Sequence, residues 1–127
     1  MTSRYAQVYQ DWQTDPLAFW AKAASAIDWI KLWDTVFDPG SGPYGRWYAG
    51  AECNTCHNAV DRHVLAGRGD QDALIHDSAI TGTVRRISYS DLQAEIEALA
   101  AVLTDKGVGK GDRVIIYMAM VPEAVVA

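Results

Sequence analysis

The stretch ISYSDLQAEIEALAAVLTDKGVGKGDRVIIYM, residues 87–118, contains the start, body and end of one helix and the run that follows it. Ser88 stands as an N-cap with Asp91 three residues later, in capping-box order. Ile87 and Leu92 flank that box where a hydrophobic staple belongs. Leu92, Ile96, Leu99 and Leu103 recur at helical spacing and predict one buried stripe. Gly107 is placed to end the helix in a left-handed conformation. RVIIYM (113–118) is apolar after its first residue, as expected of a strand buried on both faces of a parallel sheet. Strand, helix, strand in that order predicts a right-handed βαβ crossover.

Working upstream, DALIHDS (72–78) and VRRISYS (84–90) read as two strands joined by a turn around Thr81-Gly82. Before them, Cys56, Ala59, Val60, His63 and Val64 mark one face of a helix. Asn54 or Thr55 can cap it, and GRGD (67–70) ends it. Further upstream the composition changes. All five tryptophans, Trp12, Trp20, Trp29, Trp33 and Trp47, lie in the first 47 residues. Tyr5, Val8, Tyr9 and Trp12 share one helical face. Asp15-Pro16 is a helix start, with Asp as N-cap and Pro at the first position. Pro16, Phe19, Trp20, Ala23 and Ile27 then form a second stripe. DPGSGPYG (38–45) is loop, and RWYAG (46–50) is a short strand. Spaced as they are with other core residues, the tryptophans read as an apolar clasp.

Downstream, Pro122-Glu123 opens a helix that AVVA continues. Helices below about 12 residues are marginal alone, so the chain is expected to be a piece of something longer. The predicted fold class is α/β. A helical, aromatic-rich lead segment, residues 1–60, precedes the first strands and helix of a parallel or mixed sheet, residues 61–127, in an incomplete domain.

The totals narrow the function. At 127 residues the chain has the length of one ordinary domain, and half its residues are hydrophobic. A formal charge of −5 argues against nucleic acid, which is held mainly by neutralising its phosphates. The opening MTSRYAQVYQ lacks the apolar core of a signal peptide. Nothing later approaches the roughly 18 apolar residues of a membrane span. The expectation is a cytoplasmic protein with no membrane partner and its two cysteines as thiols.

Residues 53–57, Cys-Asn-Thr-Cys-His, have the spacing that holds a c-type haem. Placed on a helix, Cys56 faces inward with Ala59, Val60 and Val64, while His57 turns to the side of Asp61. Haem attachment and zinc both need those neighbours to converge. A redox dithiol needs a lowered thiol pKa, and motifs of that type follow a strand in a βαβ unit. A buried structural thiol is the better reading of Cys56. His63 reads as a hydrogen-bonded core histidine, and His76 as a surface residue of a strand. Asp61 and Arg62 read as a contact between the lead segment and the α/β unit. GVGKGD (107–112) lacks the Ser or Thr of a Walker loop and follows a helix rather than a strand, so it reads as a turn. No G-x-S-x-G elbow is present.

Three separated strings, FWAKAASAIDWIKLWDTVFD (19–38), WYAGAECNTCHNAVDRH (47–63) and GVGKGDRVIIYMAMVPEAVVA (107–127), resemble the opening of the short-chain acyl-CoA synthetases, in the adenylate-forming superfamily. ECNTCHNAVDRH (52–63) is more similar to the propionate-activating branch than to the acetate branch. The chain departs from that pattern at Leu32 and Ala119, where proline is usual, and at His57, where tyrosine is common. The resemblance implies a ligase that joins a small carboxylate to coenzyme A through an acyl-adenylate, using ATP and magnesium. It also implies that the phosphate loop, the metal-binding and ribose-binding acids, the catalytic lysine and the coenzyme A pocket come after residue 127. No catalytic, cofactor-binding or metal residue is therefore expected in this segment, which is expected to be catalytically silent and to associate with another copy. Two readings from other classes stand beside it: a thiol-redox or metal-binding module using Cys53 and Cys56, and a small interaction domain.

Overall fold

The computed structural model describes residues 3–127; Met1 and Thr2, which begin the opening stretch read above, lie outside them. The chain divides into two compact units, Met1–Thr55 and Cys56–Ala127.

The first unit begins with two helices, α1 (Arg4–Thr14) and α2 (Pro16–Ala24). The Ser3 hydroxyl accepts from the Ala6 amide at 3.2 Å, and the Asp15 carboxylate accepts from the Ala18 amide at 3.0 Å. Each cap satisfies an amide that the helix leaves without a partner. Tyr5, Tyr9 and Trp12 share the predicted face of α1, with ring centroids 6.0 and 5.6 Å apart. The predicted stripe of α2 is shorter than its spacing suggested. The helix stops at Ala24, so Ile27 lies beyond it, exposed.

Four short strands follow. β1 (Trp29–Lys31) pairs antiparallel with β4 (Glu52–Cys53), and β2 (Thr35–Asp38) pairs antiparallel with β3 (Arg46–Ala49). In the β2–β3 hairpin, Phe37 stands opposite Trp47 with ring centroids 4.7 Å apart. Gly45 bends the connection at φ +67, and a Cβ there would lie 2.4 Å from the Phe37 ring. Only glycine lets the chain pass that ring so closely.

The tryptophan clasp exists, and Tyr48 is its centre. The Tyr48 ring lies 5.5, 5.3 and 6.0 Å from Trp29, Trp33 and Trp47. Its hydroxyl donates to the Trp20 carbonyl at 3.1 Å. Tyr48 holds a left-handed φ of +49, unusual for a side chain of that size. The ring contacts and the hydroxyl bond compensate for that conformation. The Trp29 indole N–H donates to the Ala24 carbonyl at 2.8 Å, which satisfies its one polar atom.

The second unit opens with a helical stretch that winds more widely than expected. His57–Asp61 is π-helical, with the Arg62 amide reaching back five residues to the His57 carbonyl, and Val64–Arg68 winds similarly until Gly67 breaks it at φ +76. Wider winding moves the inner face to every fourth residue. Cys56, Val60 and Val64 turn inward, whereas Ala59, predicted on that face, is exposed.

The hairpin is as predicted. β5 (Asp72–Ser78) pairs antiparallel with β6 (Thr83–Ser88), turning at Gly82. Helix α3 (Tyr89–Asp105) starts at the predicted cap. The Ser88 hydroxyl accepts from the Asp91 amide at 3.1 Å and donates to the Asp91 carboxylate at 2.7 Å. Asp91 therefore answers its cap through the hydroxyl. At the other end, the Gly107 amide donates to the Thr104 carbonyl at 2.9 Å and the Val108 amide to the Leu103 carbonyl at 3.0 Å. With Gly107 at φ +84 this is a complete Schellman termination.

Both members of the staple are deeply buried, Ile87 at 3% and Leu92 at 5% exposure, in one cluster with Val60. Ala73, Leu74, Tyr89, Ile96 and Val126 pack around that cluster. Val126 belongs to the short helix α4 (Pro122–Val126), which this packing and a buried Pro122 support.

The helix and strand mixture is that of the predicted class, but every strand pair among the described residues is antiparallel. The predicted parallel crossover is not formed. RVIIYM (113–118) joins no ladder. A strand needs a neighbour to take its amides and carbonyls, and β5 and β6 take only each other's.

Candidate functional site

The Cys-x-x-Cys-His string straddles the boundary between the two units. Cys53 ends β4 in the first and is exposed; Cys56 begins the helical stretch of the second and is half-buried. Both are free thiols. The Cys56 pKa lies above the ordinary thiol range, first because burial penalises the thiolate and then because Asp61 and Glu97 repel it. A thiol held protonated is a poor nucleophile and metal ligand.

His57 is half-buried rather than turned fully outward, and its Nδ1 lies 3.8 Å from the Asp61 carboxylate. Asp61 also accepts from the Gln93 side chain of α3 at 3.1 Å. Arg62 donates to Asn58 at 3.3 Å. Asp61 and Arg62 thus both have partners inside the second unit. Among the described residues, no three His, Cys, Asp or Glu side chains gather as metal ligands.

Two constellations carried no signal in the one-dimensional pattern. His63 Nδ1 meets the Arg68 guanidinium, and its ring stands edge-on to Tyr89 with centroids 5.0 Å apart. Arg68 also lies 6.0 Å over the Tyr89 ring. His63 is therefore half-buried and hydrogen-bonded at the start of α3. Across the hairpin, Arg85 reaches Glu95 of α3 at 3.0 Å and Glu123 of α4 at 3.1 Å. His76, expected at the surface, is half-buried in β5 opposite Arg85. The Glu123 pKa is lowered, first by its own backbone N–H and then by Arg85. This fork ties three elements together.

In the first unit, α1 and α2 line a cleft of about 540 Å³ that Val8, Asp11, Asp15, Phe19 and Lys22 share. Asp11 accepts from the Gln7 side chain at 2.9 Å, and Asp15 caps α2. Both carboxylates thus have structural partners. GVGKGD is the predicted turn: the Gly109 amide donates to the Asp112 carboxylate at 2.8 Å, directly after α3. The loop follows a helix rather than a strand and has the Gly109 amide taken by its own side chain, unlike a Walker loop. The arrangement can brace a scaffold.

Comparison with known proteins supplies the context. The family described as "Acetyl-coenzyme A synthetase N-terminus" matches residues 5–59, and that described as "AMP-binding enzyme" matches residues 61–127. An acetyl-coenzyme A synthetase of Mycobacterium tuberculosis is 43% identical over 96% of this chain, which spans 19% of that protein. The human mitochondrial acyl-CoA synthetase short-chain family member 3 is 43% identical over 87% of the chain and 16% of its own length. The structure of an acetoacetyl-CoA synthetase from Streptomyces lividans superposes with a TM-score of 0.82 at 25% identity, covering 99% of this chain and 19% of that one. The chain thus spans about a fifth of the length of the relatives it matches. This chain therefore belongs to the AMP-binding, adenylate-forming enzymes and corresponds to the N-terminal part of their acetyl-CoA-synthetase type.

Proposed function

We propose that the chain serves as the N-terminal scaffold of an ATP-dependent short-chain acyl-CoA ligase, which converts a carboxylate, ATP and coenzyme A into acyl-CoA, AMP and pyrophosphate. One observation carries the reading: two family matches succeed each other along residues 5–59 and 61–127. In this reading residues 1–60 form the lead segment and residues 61–127 begin the AMP-binding domain. ATP, magnesium and coenzyme A are handled by parts of such enzymes that this chain does not contain. Its own residues build structure, and the 127-residue chain alone is catalytically silent. The reading is tested by exchanging this chain for the matching stretch of the mycobacterial acetyl-coenzyme A synthetase. Retained coenzyme A-dependent AMP formation is expected, and a folded but inactive exchange would overturn the scaffold role. AMP formation by the 127-residue chain alone would overturn its silence.

The narrower reading is a propionate-activating ligase of the cytoplasm. It is supported by the similarity of ECNTCHNAVDRH (52–63) to the propionate branch. The polypeptide that carries this chain in its source is expected to form AMP from propionate more efficiently than from acetate, and a preference for acetate would sink it. The 127-residue chain also associates with another copy, a reading supported by the unpaired apolar run 113–118.

A further inference from the structure

We draw no further inference here: the strongest candidate, the apolar cleft that Tyr5, Val8, Tyr9, Trp12, Phe19 and Trp20 line between α1 and α2, is an open face for which nothing in the structure shows what covers it.

Discussion

The two units hold themselves together by different means. In the first, aromatic rings meet at tilted angles around Tyr48, and Ala24 is its one buried hydrophobic side chain among the described residues. In the second, aliphatic side chains from the helical stretch, the hairpin and α3 close into one buried cluster. Rings keep much of their area in water and contribute through contacts with one another, and Trp29 and Tyr48 each add one polar atom bonded to backbone. Aliphatic side chains contribute only through the water they exclude, so they must be buried to count. A unit rich in tryptophan can therefore be ordered with little core, whereas the aliphatic one depends on a few buried residues.

That difference can be broken first at Leu92. Leu92→Ala is expected to destabilise the second unit by about 2–5 kcal/mol, the usual cost of emptying an enclosed site, read by hydrogen exchange in α3. Trp47→Ala is expected to cost the first unit somewhat less, about 1.5–4.5 kcal/mol, because its ring is half exposed and its partners Phe37, Trp20 and Tyr48 each supply ~0.5–1.5 kcal/mol. Fluorescence of the remaining tryptophans reports on that unit, since all of them lie within it. If Trp47→Ala cost as much as Leu92→Ala, the contrast between ring contact and burial would fail.

Smaller changes sharpen it. Gly107→Ala meets no neighbouring atom, so its expected loss of about 1–2 kcal/mol comes from the left-handed backbone alone. Chemical denaturation checks it, and a neutral result would mean that the Schellman end is dispensable. Ser88→Ala, which strips the cap of α3, is expected to cost about 1 kcal/mol in the same assay; Ser88→Asp should restore most of that. The smallest effect is a pH slope. Because the Cys56 pKa is raised in the folded chain, the unfolded chain ionises first as pH climbs through the ordinary thiol range. Stability is therefore intact below that range and declines above it. Cys56→Ala is expected to flatten the decline, and an unchanged slope would show that Cys56 is not its source.

Much of the second unit was legible residue by residue. Ser88, Asp91, Ile87, Leu92 and Gly107 each act as their position implies, because caps, staples and terminators depend on neighbours within a few residues. The Asp15-Pro16 start of α2 was legible for the same reason. The i→i+5 winding of 57–68, which exposes Ala59, was not, because it is chosen by packing on α3 and the hairpin. Nor were the Arg85 fork and the Arg68–His63–Tyr89 contact, whose members come from separate elements. The site string Cys53–His57 was legible as spacing only, because its meaning depended on which residue lies in β4 and which in the helical stretch.

The sequence by itself determined where α2 and α3 begin, where α3 ends, where the hairpin turns, and which family the chain resembles. Each of these is written in short-range backbone chemistry or in contiguous strings. The tertiary structure decided which apolar residues are enclosed, that Asp61 and Arg85 serve as braces, and that RVIIYM stands unpaired. A strand is completed by hydrogen bonds to another segment, and no local pattern says whether that segment is there.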